Sequence, residues 1–170
     1  DGTTASFVSA SFTSMAAPTL PNATAMATTT VGSTFNIKLS DESVRSYQLA
    51  YQPFFVTGDM VSDGKGGTIL SGGYYDINNK PIIDATVPGK ERHYFSDAPD
   101  GTSLLTVANP TVTGIKGKAV FAVVQFEYTT WAHDGTTDMY GKLPSPIAIL
   151  TLDQNPTTGK LTLAKYHNVN

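Results

Sequence analysis

Cysteine is absent from the 170 residues. That removes a disulfide framework, a thiolate nucleophile, a Cys-ligated zinc and an iron–sulfur centre together. Charge is also sparse. The 11 Lys and Arg and 14 Asp and Glu make 15% of the chain, where soluble domains carry roughly 25%. The net charge of -3 provides no basic field for a phosphate backbone, so no nucleic-acid partner is expected. No apolar run is long enough for a membrane span, and at 40% hydrophobic residues the chain is not a charge-driven disordered one. His93, His133 and His167 lie far apart, none with a second ligand at metal spacing, and read as surface or packing residues. A Gly-x-Ser-x-Gly elbow is missing. The stretch Gly58 to Gly66 only superficially suggests a phosphate loop: the gap is one residue too long and Lys65 is followed by Gly66.

What the chain has in plenty is turn residues: 15 Gly and 10 Pro, set among Thr and Ser. At about 150 residues per domain the length suits one core. The wording is that of a secreted, periplasmic or extracellular β protein. The small polar opening Asp1-Gly2-Thr3-Thr4-Ala5-Ser6 is what removal of a signal peptide would leave, a trimmed chain being the other reading. Asn22-Ala23-Thr24 is a glycosylation acceptor only in a eukaryotic secretory pathway.

Residues 1–34, rich in Thr, Ser and Ala and broken by Pro18 and Pro21, show no sustained period and read as an extended arm. Phe7, Phe12, Leu20 and Met26 are placed to tack it to a neighbouring surface. Ser40 to Arg45 gives the one helical signal, with Ser40 as cap and Asp41 and Glu42 in the first turn. Residues 35–170 predict an antiparallel β domain. Hairpins turn at Asp63 to Gly67 and Pro156 to Gly159, and within Ile77 to Ile83 a second turn at Asn78 to Pro81 returns a third strand. A long loop region runs from Thr86 to Asn109, with short strands at Tyr94 and Leu104 to Val107. Ala119 to Tyr128 is the strongest strand, apolar on both faces at first and therefore expected to be covered on both sides. With Ile147 to Leu152 and Leu161 to Tyr166 it forms a three-strand meander. The fold class is all-β, of antiparallel meander blades in a β-propeller, with a β-sandwich as the alternative.

Glu127 stands out as a carboxylate that ends an apolar strand, with Gln125 two positions earlier on the same face as Ala119, Phe121 and Val123. The pair either bonds neighbouring loops or lines a cavity. Asp59, Asp63, Asp97 and Asp100, with Asp76, Asp84, Asp134 and Asp138, lie in Gly- and Asn-rich turns. These suit calcium, or are plain solvated turns, and none has EF-hand spacing. Trp131 and the Tyr74-Tyr75 pair are candidates for an aromatic platform, with packing as the alternative.

Three stretches carry a likeness: Val120 to Tyr128, Met139-Tyr140-Gly141-Lys142-Leu143-Pro144-Ser145-Pro146, and Leu152-Asp153-Gln154-Asn155-Pro156-Thr157-Thr158-Gly159-Lys160-Leu161. From about Phe54 onward, roughly two thirds of its length, the chain resembles the N-terminal part of the PhoX-type alkaline phosphatase family. The resemblance implies a secreted β-propeller, a calcium- and iron-containing centre, and a phosphomonoester substrate for the complete protein. The family's Gly-Leu-Trp motif, metal-binding Cys and Glu-Glu pair have no counterpart here, so no metal ligand transfers and the chain alone is expected to be inactive. The ending at Tyr166 to Asn170 suits a natural terminus or a cut in a larger protein. The competing expectation is a non-enzymatic extracellular adhesion or fibre module that self-associates by strand addition through its N-terminal arm.

Overall fold

A computed structural model describes residues 4–16, 22–26 and 31–169. Its strands pair antiparallel, and the one helix among the described residues is the single turn α1 (Ala23–Met26). The chain forms two compact units, Asp1–Gln52 and Pro53–Asn170.

In the first unit β1 (Phe7–Thr13), β2 (Thr34–Leu39) and β3 (Val44–Gln48) make one sheet in that order. The segment expected to be an arm thus contributes a paired strand, and its unit extends to Gln52, past the boundary expected at residue 34. Phe12, Phe35 and Tyr47 stand side by side across the three strands, with ring centroids 4.9 and 6.5 Å apart. The expected helix at Ser40 is instead the β2–β3 turn. Asp41 Oδ1 accepts from the Ser43 amide at 3.0 Å and its hydroxyl at 2.6 Å, and Glu42 takes φ 67°. Local side-chain bonding of this kind competes with a helix and wins over so short a segment. Pro18, Leu20 and Pro21 lie outside the described residues.

In the second unit β4 (Met60–Ser62) and β5 (Thr68–Leu70) form the hairpin expected around Asp63 to Gly67. The Asp63 carboxylate closes that turn by accepting the Lys65 and Gly67 amides at 2.7 and 2.9 Å. A smaller hairpin pairs β6 (Ile83–Asp84) with β7 (Arg92–His93). The main sheet is a four-stranded meander of β8 (Pro99–Leu105), β9 (Lys118–Phe126), β10 (Ile147–Gln154) and β11 (Leu161–Val169), ordered β11-β10-β9-β8. The β10–β11 turn has Gly159 at φ 73°, a conformation that glycine adopts without steric cost.

One face of this meander forms the core. Val120, Ala122, Val124, Phe126, Ala148, Leu150, Leu152 and Tyr166 pack under Phe54, Phe55, Val61 and Ile69. The opposite face is only partly covered: Ala119 and Thr151 are buried, Phe121 and Val123 are half-buried, and Ile149 and Leu105 are exposed. The strand β9 is therefore covered on one side, not two. A continuous apolar run cannot distinguish a strand buried twice from one that leaves an apolar face uncovered.

Candidate functional site

Glu127 follows β9 directly. Its amide donates to the Ala98 carbonyl at 2.8 Å, and its own carbonyl accepts from the Tyr74 hydroxyl at 3.2 Å. Both Glu127 and Gln125 are exposed. Gln125 lies on the open face, opposite Ile147, so it does not share a buried face as expected. The Ala98 bond brings the Asp97 to Asp100 segment alongside Glu127, and Gln125 Oε1 lies 3.0 Å from where a Cβ on Gly101 would sit. Of the four aspartates expected in calcium turns, Asp97 and Asp100 thus join the Glu127 end of the sheet. Asp59 and Asp63 remain on the β4–β5 hairpin. No group of three or more His, Asp or Glu arranged to hold a metal occurs among the described residues.

The aromatic platform takes a different form from the one expected. Tyr74 is fully buried, with its hydroxyl accepting the Thr129 amide at 2.8 Å. Trp131 is 53% exposed and Tyr140 60%. Trp131 bridges Asp138, whose Oδ1 accepts the Tyr140 amide at 2.9 Å. Tyr128 rests edge-on against Tyr140 with centroids 4.4 Å apart, and the hydrogen bond between them raises the Tyr128 pKa above its ordinary value.

A buried carboxylate that the sequence placed only among the turns organises the loops beside this site. Asp84 is 1% exposed. Its Oδ1 accepts the Thr86 amide at 3.0 Å and hydroxyl at 2.6 Å, and its Oδ2 accepts the His133 amide at 2.7 Å. Burial alone would raise its pKa, but these bonds and the charge of Arg92 outweigh it and hold the group below the ordinary carboxylate value. The signal was present as Asp-x-Thr, the pattern that also gives Asp41-x-Ser43 and Asp134-x-Thr136. Nothing in that pattern distinguishes the buried member from the exposed ones.

Comparison with family models, with curated proteins and with solved structures gives no match. His93 and His133 serve packing and His167 is exposed. His93 Nε2 bonds the Tyr74 carbonyl at 2.6 Å, and burial lowers its pKa. The Nδ1 of His133 is buried without a hydrogen-bond partner.

Proposed function

We propose that the chain is the N-terminal segment of a secreted, PhoX-like, metal-dependent phosphatase, and that it carries no catalytic group of its own. The supporting observation is the meander β8 to β11. It has the four-stranded, consecutive order of a propeller blade, with one face packed and the other largely apolar and only partly covered. In a propeller each blade face is covered by the next, which would put Leu105, Phe121, Val123 and Ile149 against further chain. Phosphoryl transfer needs metal ions held by converging carboxylates with an open coordination position. In this reading calcium and iron are bound by a longer polypeptide, and Gln125 and Glu127 line the approach to them. The test is hydrolysis of a chromogenic phosphomonoester with calcium and iron present. This chain alone should be inactive, and a polypeptide extended by further blades should turn over on the order of 1 to 10³ s⁻¹. Turnover by the isolated chain, or none by the extended one, would overturn the proposal.

A second reading, an extracellular adhesion or fibre module, is favoured by one observation. The strand β1 lies at the edge of its sheet with all seven residues exposed, an edge open to strand addition. Light scattering should then show concentration-dependent assembly that is lost when residues 1–16 are removed. A monomer at all concentrations would reject this reading.

A further inference from the structure

Between the β4–β5 hairpin and the segment from Tyr75 to Phe95 lies a cavity of about 460 Å³. That is within the roughly 300 to 1,000 Å³ of small-molecule sites. Its walls are mostly apolar: Met60, Ile69, Leu70, Pro81 and Phe95. Two cationic residue types reach it, Arg92 and His93, and no carboxylate lines it. The two differ in what they can offer a ligand. His93 is committed to the wall, with Nε2 donating to the Tyr74 carbonyl at 2.6 Å and its ring set edge-on to Tyr75 at 4.7 Å. Burial keeps that imidazole below its ordinary pKa, hence uncharged at neutral pH.

Arg92 is the permanent charge. Its guanidinium lies 5.7 Å from the centre of the Phe95 ring, a stacking contact that positions the fork without using its N–H donors. Asp84 stands opposite it in the β6–β7 ladder, but both Asp84 oxygens already accept hydrogen bonds from Thr86 and His133. Among the described residues the one ion pair within 4.0 Å is Lys38–Glu42, so no carboxylate within that distance closes the Arg92 fork.

We propose that this cavity binds a small apolar carboxylate, an aryl or medium-chain alkyl acid, whose body fills the Met60, Ile69 and Leu70 walls and whose head pairs with Arg92. A single guanidinium fork matches a monoanionic carboxylate two bonds to two oxygens. A phosphomonoester dianion would leave one charge and one oxygen without a partner there. The site is independent of phosphatase chemistry and of the Glu127 end of the sheet.

The experiment is isothermal titration of the chain with octanoate, octan-1-ol and octyltrimethylammonium. In parallel, methyl NMR of Met60, Ile69 and Leu70 locates the ligand. Octanoate should bind at least tenfold more tightly than the alcohol or the cation and shift those methyls. Arg92→Gln should remove the preference, and Arg92→Lys should retain part of it. Arg92 is exposed, so both variants should fold, which thermal melts will confirm. Equal affinity for acid and alcohol, an unchanged preference in Arg92→Gln, or shifts confined to Ile149 on the open sheet face would each overturn the proposal.

Discussion

Tyr166→Phe removes one oxygen from the core of the second unit and leaves the ring in place. That oxygen accepts the Gly72 amide at 2.8 Å, and both residues are buried. The ring keeps its edge contact with Phe55, so nearly all of the apolar packing survives the change. What remains is a buried N–H with no acceptor, which costs about 1 to 3 kcal/mol. With a urea m-value of roughly 1 to 3 kcal/mol/M, the midpoint should fall by about 1 M. The hydroxyl carries a second, separable effect. Burial pushes its pKa up to about 12 from an ordinary 10.0, against the opposing influence of the Gly72 bond. Because the folded value lies above the unfolded one, this contribution is complete below pH 10 and is lost as pH rises from 10 through about 12. At 1.36 kcal/mol per unit that amounts to roughly 2 to 3 kcal/mol. Wild type and variant, unfolded in urea at pH 7, 10 and 11.5, should therefore differ most at neutral pH and converge in alkali. A variant within about 0.5 kcal/mol of wild type at pH 7, or a difference that does not change above pH 10, would refute the reasoning.

Three further outcomes are expected. Asp84→Asn must set an NH₂ group against either the His133 or the Thr86 amide and should cost about 1.5 to 3 kcal/mol by urea unfolding; because the Asp84 pKa is lowered, its contribution is present above pH 3.8 and lost as pH falls below that, so the variant's acid unfolding should be flatter there. Gly72→Ala places a Cβ 2.7 Å from the Ser96 carbonyl oxygen at φ +72° and should lower stability by roughly 2 kcal/mol or more in the same assay. The thermal melt of this chain should be the same in millimolar calcium and in chelator, since no three His, Asp or Glu of the described residues are grouped to hold an ion; bound calcium at a hundredfold excess over Kd would add about 2.7 kcal/mol, and a rise of several degrees would show a cation site in the turns.

The meander was legible because its signals are local. The β9 strand is an unbroken apolar run from Ala119 to Val124, and Asn155 to Lys160 contains both the proline and the glycine that a tight turn requires. Pairing of β1 with β2 was not legible, because it joins residues more than twenty positions apart across a Pro-containing stretch, and Phe7–Thr13 lacks the bulky β-branched run that marks a strand. At the candidate site, Glu127 was recognisable as a carboxylate ending an apolar strand. Its exposure was not, since that depends on which face of the sheet receives the β4–β5 hairpin. The Arg92 cavity left no trace in the sequence for a similar reason. Met60, Leu70, Pro81 and Phe95 come from four separate segments, and only the fold gathers them around the guanidinium.

The turns of this fold spend many of their side-chain oxygens on their own backbone. A carboxylate that holds a cation must turn its oxygens outward, toward a point shared with other ligands. In the described turns several oxygens are already turned inward. Asp63 accepts two amides, Asp76 accepts those of Asn78 and Lys80, and Asp134 accepts two amides and a hydroxyl, which brings its pKa down to about 2. Each such bond stabilises the reversal of the chain that carries it. The apolar residues of the open sheet face and the Arg92 fork have no such commitment. Apolar sheet surface left in water costs about 25 cal/mol per Å², and a guanidinium with no carboxylate within 4.0 Å keeps its donors for a ligand. Association through the open face and anion capture at Arg92 are thus the two interactions for which this fold has groups to spare, and each can be removed by substitution without touching a turn.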